Sequence, residues 1–192
     1  EYTHQNIFLT GKAGTGKTLL ALAAGLQKVV EERIYSKLLV ARPIVPMGKD
    51  IGFLPGGKID KLENWMHPIT DNLDFLSAAG GKDNYKYFID QGLIEVEALT
   101  FIRGRSMPNI YFIIDEAQNL TQHEVKTIIT RAGEGSKIIL TGDPYQIDNH
   151  YLDESSNGLS IVSEKFKNET IAGHITLTKG ERSMLATRAA EL

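Results

Sequence analysis

The sequence predicts an α/β domain, a mostly parallel sheet with helices on both faces. Three observations carry this. Four short runs are apolar at nearly every position: Ile7-Phe8-Leu9, Leu38-Leu39-Val40-Ala41, Ile110 to Ile114 and Ile138-Ile139-Leu140. Strands buried on both sides read this way, because crossover helices cover the two faces of a parallel sheet. Helical patterns separate the runs, and strand alternating with helix is the signature of the class. A glycine-rich turn containing lysine joins the first run to the first helical pattern.

Taken in order, Leu19, Leu22, Leu26 and Val29/Val30 recur at the three-and-four spacing of a buried helix face. A second stripe, Ile59, Leu62, Trp65/Met66 and Ile69, continues past Pro68 to Leu73 and Leu76. The proline is expected to kink or divide that helix, since it removes a hydrogen bond and crowds the preceding turn. Trp65 reads as core packing. Ile94-Glu95-Val96 and Ile175-Thr176-Leu177 alternate rather than run solid, which makes them weaker strands. Thr121-x-x-Glu124 is a capping box ahead of Val125, Ile128 and Ile129, with Gly133 and Gly135 as stops. The least regular stretch runs from Pro43 to Pro108, with a turn at Pro55-Gly56-Gly57.

The 192 residues suit one domain, and a net charge of −3 argues against a wholly electrostatic nucleic-acid binder. A local patch stays open, because residues 1–49 hold seven Lys/Arg and three acids. The absence of cysteine excludes disulfides and thiolate metal sites. The longest apolar run, Leu19 to Leu26, is far short of the roughly 20 residues that span a bilayer. No membrane association and a cytoplasmic location are therefore expected. Five histidines (His4, His67, His123, His150, His174) show no pair at ligand spacing, so zinc is not expected.

Gly11, Lys12, Ala13, Gly14, Thr15, Gly16, Lys17 and Thr18 match the G-x-x-x-x-G-K-[ST] pattern of a phosphate-binding loop, with Leu19 next. Glycines let the backbone wrap the phosphates with N–H groups pointing inward, and the following helix offers its positive end. Lys17 is expected to reach the β- and γ-phosphates and the Thr18 hydroxyl to ligate Mg²⁺. A chance match in a chain of this length has a probability of roughly 1%.

The run Tyr111 to Ile114 ends in Asp115 and Glu116. Ligands of a parallel sheet bind at the carboxyl ends of its strands, where the phosphate loop also sits. Asp115 is thus expected to hold Mg²⁺ through water beside Thr18, and Glu116 to polarise an attacking water. The run ending at Thr141 leads into Gly142-Asp143-Pro144-Tyr145-Gln146, which reads equally well as a plain turn or as a loop delivering Gln146. An amide can donate to a phosphate oxygen and accept from the attacking water.

These residues resemble a known arrangement. Asp115-Glu116-Ala117-Gln118 is similar to motif II of superfamily-1 helicases, Gly142 to Gln146 to their motif III, and Leu177 to Ser183 to their motif IV. More closely, the chain resembles the ATPase domain of PhoH-like proteins, in the form that follows a PIN ribonuclease domain. Val40-Ala41-Arg42-Pro43, Gly52 to Gly56, Phe101-Ile102-Arg103-Gly104-Arg105 and Gly142 to Asp148 carry the match. The resemblance implies a RecA-like P-loop ATPase using ATP and Mg²⁺. It would act on RNA or single-stranded nucleic acid as a homo-oligomeric ring, a hexamer in the family. Gln146 then resembles the γ-phosphate sensor and Arg182 an arginine finger. Arg42, Pro43, Thr100, Arg103 and Arg105 look like strand-binding positions, although arginines paired with nearby acids explain the same residues.

Two departures from the helicases matter. A second RecA-like domain is not expected after motif IV, so closing the site is expected to need another subunit. The family's adenine-recognising segment and PIN domain lie upstream of the phosphate loop, so the chain is expected to be a fragment of a longer one. Two other readings stay open. One is an assembly module glued by nucleotide with little or no hydrolysis; the other, less favoured, is a small-molecule kinase.

Overall fold

The computed structural model describes residues 4–45, 58–80 (side chains of 66–78), 85–102, 104 and 106–180. Six strands form one sheet: β1 (Asn6–Gly11), β2 (Leu38–Arg42), β3 (Ile94–Ala98), β4 (Tyr111–Ile114), β5 (Lys137–Gly142) and β6 (Ala172–Leu177). Their order is β3-β2-β4-β5-β1-β6, and every pairing is parallel. Among the described residues five α-helices accompany them: α1 (Lys17–Leu26), α2 (Lys58–Gly80), α3 (Tyr85–Asp90), α4 (Gln122–Ile129) and α5 (Gly158–Lys165). This is the parallel α/β fold that the apolar runs predict.

The two faces of the sheet carry separate cores. Leu38, Val40, Tyr111, Ile113 and Ile139 pack with Leu22 of α1 and with Ile69 and Leu73 of α2. Their alternates Leu39, Ala41, Phe112, Ile114, Ile138 and Leu140 pack with Val125 and Ile128 of α4 and Leu159 and Val162 of α5. Side chains alternate across a strand, so two covered faces require apolar residues at every position. Each such side chain contributes roughly 1.5–3 kcal/mol on burial. Tyr111 and Phe112, read as core, are 5% and 0% exposed.

Helix α1 continues as a π-helical stretch, Gln27–Glu31, closed by a bond from Glu32 N to Gln27 O and an ion pair of Lys28 with Glu32 at 2.8 Å. Helix α2 runs through Pro68 without dividing. The capping box of α4 is complete: Glu124 N donates to Thr121 Oγ1, and Thr121 N donates to Glu124 Oε2. The turn expected at Pro55 to Gly57 and the side chains of Ile59, Leu62 and Trp65 lie outside the described residues. No helix among those described is long and apolar enough to cross a membrane.

Strand order builds the site. β5 lies between β1 and β4, pairing Thr10 with Gly142 on one side and Ile114 with Leu140 on the other. The ends of β1, β5 and β4 therefore bring Gly11, Thr141 and Asp115 together.

Candidate active site

The phosphate loop leaves β1 and turns into α1. Gly14 and Gly16 have φ of 77° and 84°, the left-handed region where a side chain is strained. A Cβ on Gly16 would meet nothing within 4 Å, so the space beside it is open. Thr15 Oγ1 donates to Lys12 O at 2.9 Å and stabilises the turn. The Lys17 ammonium donates to Gly11 O (2.8 Å) and Lys12 O (3.0 Å), so it is held over the loop by backbone carbonyls.

Across from the loop, Asp115 is 4% exposed. Its Oδ1 accepts from Thr18 Oγ1 at 2.8 Å and from Thr141 Oγ1 at 2.7 Å. The two residues expected to share Mg²⁺ are thus in direct contact, an oxygen-only donor set that suits a hard cation. Thr141, on β5, is a partner the sequence reading did not assign. The hydroxyl ending an otherwise apolar strand is the signal that could have shown it.

Glu116 follows with φ of 55° and ψ of 40°, a left-handed backbone for a residue with a side chain. Such conformations cost of order 1–3 kcal/mol and gather at functional sites. Burial and the neighbouring Asp115 push its carboxyl above the ordinary glutamate value, opposed by the Gln118 hydrogen bond and by the charges of Arg42 and Lys17. The arrangement can hold a triphosphate, ligate a cation and present a carboxylate suited to accepting a proton.

The loop 142–146 is tied to both partners. Asp143, 3% exposed, accepts from Ala13 N at 2.8 Å through Oδ2 and from Tyr145 N at 3.1 Å through Oδ1. It braces the phosphate loop against the end of β5. Gln118, fully buried, donates to Glu116 Oε2 (2.6 Å) and to Gln146 O (2.9 Å) and accepts from Asp143 N (3.2 Å). Neither residue was singled out from sequence, though both stand inside the quoted motifs. Gln146 itself is exposed.

Arg42 donates from Nη2 to Glu116 Oε1 at 3.1 Å, and its Nε lies 3.9 Å from Asp115 Oδ2. Of the two pairings the sequence leaves open for this arginine, the one with acids is made here. Pro43 and Thr100 line a neighbouring groove of about 650 Å³, with His123, Arg131, His150 and Tyr151 on its other walls. Arg42 does not line it. Two acids in the groove are engaged locally, Glu124 by Thr121 and Asp148 by Asn119. The Nε of Arg131 is buried without a hydrogen-bond partner, and Tyr151 is 94% exposed. Arg103, Arg105 and Arg182 lie outside the described residues.

Comparison with known proteins sets this geometry in context. The profile of the family described as PhoH-like protein matches residues 2–191. Protein PhoH2 of Bacillus subtilis is 61% identical over 187 residues, covering 97% of this chain and 42% of that protein. The PhoH-like protein of the same organism is 39% identical over 163 residues, covering 84% of this chain and 49% of that protein. The chain therefore spans less than half the length of these relatives. Among solved structures, the large terminase of bacteriophage HK97 aligns with a TM-score of 0.49 at 12% identity, over 97% of this chain and 38% of that one.

Proposed function

The chain belongs to the PhoH-like protein family, and from that premise we propose that it is an ATP hydrolase whose turnover is coupled to single-stranded RNA. The observation carrying the hydrolytic reading is the Thr18–Asp115 contact with Glu116 beside it at the phosphate loop. Binding alone requires the loop; a half-buried, proton-accepting carboxylate next to the cation ligands is what hydrolysis adds.

In this reading Lys17 leaves its carbonyls for the β- and γ-phosphate oxygens, and loop amides take the remaining phosphate charge. Thr18 and Asp115 would hold Mg²⁺, which would supply positive charge against the phosphates. Glu116 accepts the proton of the attacking water, and Gln146 contacts the γ-phosphate. Lys17→Ala is expected to weaken ATP binding about 10- to 100-fold, the loss of a charged hydrogen bond. Unchanged binding, measured by titration calorimetry, would remove Lys17 from that role.

The nucleic-acid reading is supported by the groove joining Pro43 and Thr100, two strand-binding positions by resemblance, to Arg131, His123, His150 and Tyr151. An exposed aromatic at the rim of such a groove suits base stacking, worth roughly 1–3 kcal/mol per base. Tyr151→Ala is expected to weaken single-stranded RNA binding about 5- to 100-fold without lowering the melting temperature, since the ring is solvent-exposed. An unchanged RNA affinity would leave the ring a surface residue.

A ring of subunits and an upstream PIN domain belong to this proposal by family membership. The deciding measurement is phosphate release from ATP and Mg²⁺ with and without single-stranded RNA. Stimulation supports the coupled enzyme. Nucleotide-induced assembly without phosphate release supports the alternative, an assembly module.

A further inference from the structure

We propose that Gln118 is the positioning residue that locks the water-activating Glu116 to the loop 142–146. Its amide spends both N–H groups and its oxygen on this one junction: Glu116 Oε2, Gln146 O and Asp143 N. No solvent reaches it, so each of these bonds is made against protein rather than exchanged with water. The contact to Glu116, at 2.6 Å, is a charge-assisted one, which fixes a single carboxylate rotamer.

The surrounding backbone is shaped to admit this side chain. A Cβ on Gly142 would collide with Gln118 Oε1 and stand 2.7 Å from Leu159 Cδ2, so only glycine fits between β5 and the amide. Asp143, bonded to Gln118 through its N–H, grips Ala13 of the phosphate loop through its carboxylate. A displacement of the phosphate loop thus reaches Glu116 through two side chains, Asp143 and Gln118. Gln118 touches neither nucleotide nor water in this role; it acts through Glu116.

This rests on the hydrolytic reading above, and a double-mutant cycle separates the two. Phosphate release and ATP affinity are measured for wild type, Gln118→Met, Glu116→Gln and the double variant. Methionine keeps the length and removes every hydrogen bond. Gln118→Met is expected to bind ATP within threefold of wild type while kcat falls 10- to 100-fold. In the Glu116→Gln background the same change should cost less than threefold, because the carboxylate it positions is gone. A full 10-fold or greater loss in that background would reduce Gln118 to a structural residue and overturn the proposal, as would an unchanged kcat in the single variant.

Gln118→Glu supplies the same comparison if the methionine variant does not fold. It retains the acceptor for Asp143 N and loses both donors, so kcat should again fall with ATP affinity held. Normal turnover in it overturns the proposal. A wild type that releases no phosphate overturns the hydrolytic reading and this one together.

Discussion

Glu116→Gln will retain ATP and stall its hydrolysis, with kcat lower by about 10²- to 10⁴-fold, the range of a lost general base. Glutamine keeps the shape and one accepting oxygen, for either Gln118 or Arg42, but cannot take a proton from water. Nucleotide affinity should stay near that of the wild type, because no role in holding phosphate is assigned to Glu116. Undiminished phosphate release would remove Glu116 from the mechanism.

The pH dependence follows from the same carboxylate. Its pKa is raised by burial first and by Asp115 second, so the acid limb of kcat/KM, which reports the free chain, should lie above the ordinary glutamate value. The linkage to stability has the corresponding sign. In the window between the unfolded and the raised folded value, the folded chain binds more protons than the unfolded one. This residue's contribution to stability therefore falls as pH rises through that window. Glutamine mimics the protonated form at every pH, so Glu116→Gln should melt at or above the wild-type temperature at neutral pH. An inactive variant that melts well below wild type would point to a damaged fold rather than a missing base.

What the sequence made legible follows from how each element is buried. β1, β2, β4 and β5 stand inside the sheet, and their solid apolar runs reflect cover on both faces and both sides. β3 and β6 are the two edges. They need fewer apolar positions, which explains why Ile94-Glu95-Val96 and Ile175-Thr176-Leu177 read as weak strands. Helix α5 escaped because only Leu159 and Val162 of its apolar residues are buried, too few for a periodic stripe. Its start is instead fixed by Asn157, whose side chain accepts from Ser160 N.

The site divides in the same way. The phosphate loop and Asp115-Glu116 are contiguous, and contiguity is what a motif records. The partners of those acids are not contiguous. Thr141 is 26 residues from Asp115 and Arg42 is 74 from Glu116. They meet because β4 lies between β2 and β5, an order that hydropathy does not encode. Arg42 illustrates the consequence. Its position at a strand end suggests a ligand contact, and only the strand order shows that the nearest carboxylate belongs to Glu116.

Arg182→Ala should bind ATP as the wild type does and turn over about 10³- to 10⁵-fold more slowly, the effect of losing an arginine finger. β6 pairs Leu177 with Gly11, so the chain leaves the sheet beside the phosphate loop, and Gly180 is the last described residue. Arg182 is five positions after Leu177, a reach of up to about 17 Å at full extension. That span suits either the subunit's own nucleotide or a neighbour's across a ring. Mixing Arg182→Ala with Lys17→Ala discriminates. Each is inactive alone, but in a random equimolar ring roughly a quarter of interfaces join an intact phosphate loop to an intact arginine, so activity should return. Recovery would make the site a property of two subunits. No recovery at any ratio would place the arginine over its own subunit's nucleotide, and oligomerisation would then need a different cause.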